Sequence, residues 1–367
     1  MKFAALGPAT TLLPLDHLDR LTDSTGLIQH AIYCIPRRES GYTTDDNARG
    51  LRLCTRLWHH RPDARMLGRI TLYLSFLEYA RGGRRGFHNF LGYGRDWLDT
   101  AGSADCQGQA VLALVEVLGS TLPDGYRAVA WELIKGVLPV LGELQSLRAQ
   151  AYLIIAWGHL QRAGNRYAQD LEPIARLGAE RLVECHAAAR RPGWPWFESR
   201  LTYANAVLPQ ALYVAAEHWP DESYRAVAEA TFTFLGRETT AEGVFWPVGN
   251  SDWYGQGMAK SRYDQQPIEA ATMAEAALEA LAVTGNECHR ATFLRARGWF
   301  FGRNSLHQPL ADTTSGGCFD GLQPLGVNRN QGAESTLALL WTLSHTNSAR
   351  QAPALTRTRR SLGPGAH

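Results

Sequence analysis

Gly41-Tyr-Thr-Thr-Asp-Asp-Asn-Ala-Arg49, running on into Leu51, Leu53, Cys54, Leu57 and Trp58, is the stretch on which the reading of this chain turns. Thr44 has the chemistry of an N-cap, and Asp45 and Asp46 in the first turn suit the positive end of a helix dipole. Capping alone would account for either aspartate. The layout, however, recurs: a polar head, then an apolar helical body. Ser103, Asp105, Gln107 and Gln109 lead into Ala110–Leu118. Ser146, Arg148 and Gln150 lead a third body and form the poorest head of the set. Trp194, Trp196, Glu198, Tyr203 and Asn205 precede Ala206–Val214. Asp264-Gln-Gln-Pro-Ile-Glu269 opens an alanine-rich helix, and Asn328, Asn330, Gln331 and Glu334 open the last one.

Between these six heads lie ordinary amphipathic helices, such as 66–79 with Leu67, Ile70, Leu74 and Leu77 on one face. Strand signals are nearly absent; Val244-Phe-Trp246 is the one short candidate. A helical hairpin repeating at roughly 50–60 residues is a repeat architecture, and bodies apolar all round belong inside it. The expected fold is all-α, an (α/α)6 toroid with long aromatic and glycine-rich loops over one rim. An open solenoid is the alternative, but it has no need of polar heads on every other helix. No linker divides the chain, so 1–345 is read as one barrel domain, with a polar, basic tail at 346–367 expected to be disordered.

A net charge of +2 with both signs scattered argues against a nucleic-acid surface. The six cysteines form no CxxC pair, and no histidine spacing fits a metal site, so neither metal nor cofactor is expected. The glycine-rich loop at Ser315-Gly-Gly317 lacks the Lys-Ser/Thr of a P-loop. The start of the chain, broken by Pro8 and Pro14, makes a poor signal peptide and spans no membrane; the expectation is a cytoplasmic protein.

Stacked on one rim, the heads would line a single cleft with carboxylates, amides and aromatic rings. Carboxylates and amides bind sugar hydroxyls, aromatic faces cover pyranose rings, and a carboxyl pair performs glycoside hydrolysis. Asp45, Asp46, Asp264 and Glu334 are therefore the catalytic candidates. His88, Asp105, Trp196, Glu198, Tyr203, Asn205, Trp253, Gln266, Glu269, Asp320 and Asn328 are the candidates for holding substrate.

Several motifs carry a resemblance. Asp16-His-Leu with Leu21-Thr-Asp-Ser-Thr-Gly26, the 41–49 stretch, Phe87-His-Asn-Phe90, Trp196-Phe-Glu198, Val248-Gly-Asn250, Asp264-Gln-Gln-Pro-Ile-Glu-Ala270 and Asn330-Gln-Gly-Ala-Glu-Ser335 together resemble a bacterial and archaeal glycosyltransferase-associated family. Its members stand alone or behind a glycosyltransferase domain, are often described as glycosyltransferases, and accompany mannoside phosphorylases. The resemblance covers about 16–343 and implies an (α/α)6 glycosidase-like fold, an oligosaccharide substrate containing mannose or a related sugar, and a glycosyltransferase or mannoside phosphorylase as pathway partner.

The chain departs from the family pattern twice. Ser103-Ala-Asp-Cys-Gln-Gly-Gln-Ala110 stands where Ser-Glu-Asp-Ser-His-Gly-Arg-Ala is expected, and Thr202-Tyr-Ala-Asn-Ala206 where Thr-Tyr-Asp-Asn-Ala is expected. The acids missing at Ala104 and Ala204, and the histidine missing at Gln107, shift weight to the heads at Asp45, Asp264 and Glu334. A glycoside hydrolase is the leading expectation. The alternatives are a non-catalytic glycan-binding accessory protein, a phosphorylase or glycosyltransferase activity on the same sugars, and, least favoured, an α-barrel terpene cyclase.

Overall fold

The computed structural model describes residues 13–345, so the expected disordered tail and residues 1–12 lie outside the described residues. Helix α1 (Asp16–Leu21) is short. Five hairpins follow: α2 (Thr44–His60) with α3 (Ala64–Tyr79), α4 (Ala104–Leu118) with α5 (Asp124–Leu141), α6 (Leu147–Arg162) with α7 (Ala168–Ala189), α8 (Val207–His218) with α9 (Glu222–Glu238), and α10 (Pro267–Thr284) with α11 (Cys288–Trp299). The last helix, α12 (Ala333–Ser344), takes α1 as its outer partner. Each even-numbered helix packs on the next, and α12 packs on α2. Six inner and six outer helices thus close an (α/α)6 toroid. The α12–α2 contact excludes the open solenoid.

The division into inner and outer follows from the side chains. Helix α4 buries an unbroken run from Cys106 to Val115 because it is enclosed by the ring on one side and α5 on the other. Its outer partner α5 buries only Ala130, Leu133, Ile134, Val137 and Leu141, the stripe a helix offers to one neighbour. Pro267 starts α10, where a missing N–H costs nothing, and Gly285 at φ 68° ends it in the left-handed conformation.

The seam is tied at several points. His17 Nε2 lies 2.8 Å from the Gln331 carbonyl. The backbone N–H groups of Gln331 and Ala333 donate to the carbonyls of Tyr33 and Gln29. Toward the C-terminal ends of the inner helices the axis is filled by ion pairs. Arg52 joins Glu116 and Glu275, His159 Nδ1 stands 3.2 Å from Glu116, and the Arg52 guanidinium lies 4.1 Å from the centre of the Trp341 ring.

The loops carry five small antiparallel strand pairs. Val244–Phe245, paired with Thr240–Ala241, is the one the sequence signals. The others, including Tyr42–Thr43 with Phe90–Leu91 and Gly321–Gln323 with Gly326–Asn328, are two or three residues long, too short to show an alternation.

Close inner packing depends on glycine at two places. A Cβ on Gly108 would come within 3.1 Å of the Ala149 backbone on α6, and one on Gly158 would collide with Val214 on α8. Gly158→Ala is expected to destabilise the protein by about 1–3 kcal/mol, the usual cost of overpacking. Urea unfolding should show a lower midpoint with an unchanged slope.

Candidate active site

The head of α2 shows how the chain presents its acids. Thr43, not Thr44, is the N-cap: its backbone is extended (φ −124°, ψ 148°), and its Oγ1 accepts from Asp46 N and donates to Asp46 Oδ2 at 2.9 Å. An N-cap needs this extended backbone before the first helical residue. Thr44 is already helical, and its hydroxyl donates to the His88 carbonyl instead. Asn47, buried, donates to the Thr43 carbonyl and accepts from Leu27 N. The Asp45 N–H is held by Asn89 Oδ1. With the turn satisfied from behind, Asp45 and Asp46 face a cleft.

That cleft encloses about 410 Å³. It is formed by the heads of α2, α10 and α12 together with the loops before them. Asp45, Asp46, Asp264, Gln266, Asp320, Asn328 and Glu334 all line it. The sequence reading passed over Arg49, which crosses the floor: Nη1 is 3.1 Å from Asp46 Oδ1 and Nη2 is 3.3 Å from Glu334 Oε2. His30 also lines the cleft, beside Gln29, Asn89, Phe90 and Asn250. Arg49 sits one turn after Asp45 and Asp46 in the opening motif, and that i, i+3 and i, i+4 spacing was the available signal.

Burial holds the Asp46 carboxyl up to about 7, against the pull of Arg49, with Glu334 and Asp45 adding like-charge repulsion. Burial likewise raises Asp45, whose Oδ1 is buried without a hydrogen-bond partner among the described residues. Asp320 is raised by burial while it accepts from Gly332 N, the N-cap of α12, at 2.7 Å. Asp264 is placed through its backbone: its N–H takes Ser251 Oγ and its carbonyl takes Asn250 N. Glu334 is the more open acid, with its side chain 42% exposed.

The heads of α4, α6 and α8 do not open onto this cavity. They are knitted together by Arg148, the residue that made the third head look poorest. Its buried guanidinium donates to the Tyr203 carbonyl, to Thr202 Oγ1 at 2.7 Å and to both oxygens of Glu198, and lies 4.6 Å over the Tyr203 ring. Tyr203 OH and Ser146 Oγ both donate to Asp105. Glu269, at the head of α10, accepts from Ala204 N and from Asn205 Nδ2. Burial pushes Glu269 up to about 7.

Asp105, Glu198, Tyr203, Asn205 and Glu269 therefore form a second cluster, and Trp253 stands at its edge, 6.4 Å from the Tyr203 ring centre. Trp196 has no exposed surface and packs on Phe197 and Phe234, so it is core. The His88 ring stacks on Trp97, and its Nδ1 is 2.9 Å from the Asp99 carbonyl, outside the cavity lining. Residue type alone could not separate these from cleft residues, because tryptophan and histidine are as much at home in cores.

The departures from the family pattern have visible consequences. Gln107 bonds the backbone of Phe87 through both its amide atoms and pins the 87–102 loop. Ala204 has φ 45°, a backbone that aspartate or asparagine adopts more readily than alanine. The turn is kept without the carboxyl.

No family model and no curated protein matches the chain. Solved structures do. Cellobiose 2-epimerase from Spirochaeta thermophila is 14% identical with a TM-score of 0.67 over 92% of this chain and 96% of that one. D-mannose isomerase is 13% identical, TM-score 0.67, over 92% and 96%. The chain has the (α/α)6 fold of these proteins. The α-1,6-mannanase of Salegentibacter sp. HEL1_6 is 13% identical with a TM-score of 0.61 over 92% and 97%. A variant of that mannanase with two consecutive aspartates changed to asparagine is described as inactive and was solved with α-1,6-mannotriose.

Among the described residues no group of three or more His, Cys, Asp or Glu side chains is arranged to hold a metal ion, and no helix is long and apolar enough to cross a membrane.

The raised carboxyls set a pH dependence of stability. Asp46 and Glu269 both bind a proton more tightly folded, at about 7, than unfolded, near 4. Their contribution is fully present below about pH 4 and is lost as pH rises through 7. Asp46→Asn should therefore unfold at a higher temperature than the parent at pH 8, with the difference shrinking toward pH 4. Scanning calorimetry across that range checks the sign.

Proposed function

We propose that the protein is a carbohydrate-active enzyme, a glycoside hydrolase whose cleft cuts mannose- or glucose-containing oligosaccharides. The observation that carries this is the grouping of acids: a buried, protonatable pair at the head of α2 and two further carboxyls, Asp264 and Glu334, from the heads of α10 and α12. Hydrolysis of a glycosidic bond asks for one carboxyl that keeps its proton and another that has lost it. A volume of about 410 Å³ suits a sugar or two, within the usual range for small-ligand sites.

Within the pair, Asp45 is the better proton donor. Both Asp46 oxygens are engaged, by Thr43 and by Arg49, whereas Asp45 is only partly buried and lines the cleft with its carboxyl raised by burial. The like charges of Glu334 and Asp105 help Asp45 keep its proton. The leaving oxygen takes the Asp45 proton; Asp264 or Glu334 supplies the base or nucleophile. Gln266, Asn328, Asn89 and Gln29 offer amides to hydroxyls, and Phe90 a ring face. The mannanase among the similar structures, and the sequence resemblance with its mannoside-phosphorylase context, support mannose-containing substrates.

A second reading is favoured by the epimerase and isomerase among those structures: proton transfer at a carbon beside the anomeric centre, a C–H bond broken and re-formed while the glycosidic bond stays intact. His30 in the cleft could serve as its base. A panel of manno- and gluco-oligosaccharides separates the two. Shortened products support the hydrolase; unchanged chain length with deuterium taken up from heavy water supports the epimerase. Binding without any product would leave a glycan-binding accessory protein.

Asp45→Asn is expected to lower kcat by about 10²–10⁴-fold with the helical fold retained. Asp105→Asn should keep measurable turnover but move the basic limb of the pH–rate profile to lower pH, because it removes a charge that helps Asp45 keep its proton. Unchanged turnover of Asp45→Asn would remove that residue from the mechanism. Asp264→Asn and Glu334→Gln, with product anomer followed by NMR, assign the base and the stereochemical course.

A further inference from the structure

We infer that the cleft accepts only glycans that carry no phosphate, and that water rather than inorganic phosphate receives the cleaved sugar. This rests on reading the cleft as a glycan-cleaving site and decides between that reading and a phosphorylase or glycosyltransferase, each of which must hold a phosphate group next to the reacting carbon.

The charges of the wall decide it. Five carboxyl groups line the cavity, those of Asp45, Asp46, Asp264, Asp320 and Glu334. The only guanidinium or ammonium among the lining residues is Arg49. Phosphate is held in proteins by free forked guanidiniums, lysines or unclaimed backbone N–H groups. Arg49 is already paired with two acids, Nη1 3.1 Å from Asp46 and Nη2 3.3 Å from Glu334, so its charge is offset before a ligand arrives. His30 lies within electrostatic reach of Asp320.

The three helix N-termini at the cleft would ordinarily invite an anion. Here several of their donors are already used. Asp46 N is held by Thr43 Oγ1, Asp45 N by Asn89 Oδ1, Gly332 N by Asp320 Oδ1 and Ala333 N by the Gln29 carbonyl, while Pro267 has no N–H to give. These donors of α2 and α12 are spent on the protein's own hydroxyl, amide, carboxyl and carbonyl oxygens.

What the wall does offer is acceptors. Asp45, Asp264 and Glu334 line the cavity, and a sugar hydroxyl, or the amine of an amino sugar, is a donor that fits their oxygens. The reaction balances with water alone. The bond between the anomeric carbon and the bridging oxygen breaks, that oxygen takes the Asp45 proton, and the oxygen of water bonds to the anomeric carbon while its proton passes to the base. Any phosphorolysis in the same pathway would then belong to a separate enzyme acting before or after this one.

The test uses the full chain at pH 7. Binding of mannobiose and of mannose 1-phosphate is measured by calorimetry, and turnover of mannotriose is followed with and without inorganic phosphate. Mannobiose should bind, mannose 1-phosphate should not, and phosphate should change neither rate nor product. Glu334→Gln frees Arg49 Nη2 and removes one of the five acids, so it should bind phosphate at least about tenfold more tightly than the parent. Glu334 is half exposed, so the variant should fold.

Sugar 1-phosphate among the products, a rate that rises with phosphate, binding of mannose 1-phosphate equal to that of mannobiose, or no binding of any neutral glycan would each overturn the inference. If mannobiose binds, phosphate compounds do not, and nothing is cleaved, the hydrolase reading fails while the exclusion of phosphate stands.

Discussion

Arg49 bridges the first and the last inner helices at the rim. It rises from α2, holds Asp46 on its own helix, and reaches Glu334 on α12. The same guanidinium therefore joins the seam of the ring and forms the floor of the cleft. A toroid built from sequential hairpins gains its closing contact only at the end of the chain, and a cavity among the helix heads exists only once that contact is made. Burying a charge at this point is tolerable because two carboxylates face it. The cost falls partly on Asp46, whose own burial leaves it hard to ionise.

From that bridge the site takes a lopsided form. The heads of α2, α10 and α12 surround an open, acid-lined cavity, whereas those of α4, α6 and α8 are drawn into the network around Arg148. Glu269 connects the halves, since it stands at the head of α10 yet bonds the turn before α8. A ring of six similar hairpins thus produces one cleft at one side of its rim. Deeper along the axis, Arg52, Glu116, Glu275 and Trp341 join in ion pairs and a cation–π contact below the acids of the rim.

The architecture was legible because it depends on periodicity. Inner helices apolar all round, outer helices with one buried stripe and polar heads at a steady interval are local patterns, and each survives unchanged into the structure. Asp45, Asp46, Asp264 and Glu334 were legible for the same reason: each opens an inner helix or sits just before one. The small strand pairs were not, because two or three residues make no pattern. Nor was the N-cap at Thr43, since two adjacent threonines differ only in backbone geometry.

The sequence by itself determined that six polar helix heads exist and that their acids and amides suit a sugar. Only the tertiary structure decided which of them share a cavity. Trp196 and Trp253 are the same residue type in similar aromatic loops, yet one is sealed in the core and the other stands beside Tyr203. Arg148, in the poorest head, became the hub of one cluster, and Arg49 the floor of the other. A head's chemistry is written in its residues. Whether it meets a ligand or another head depends on which helices become neighbours when the ring closes, and that is set by packing between residues as far apart in sequence as Arg49 and Glu334.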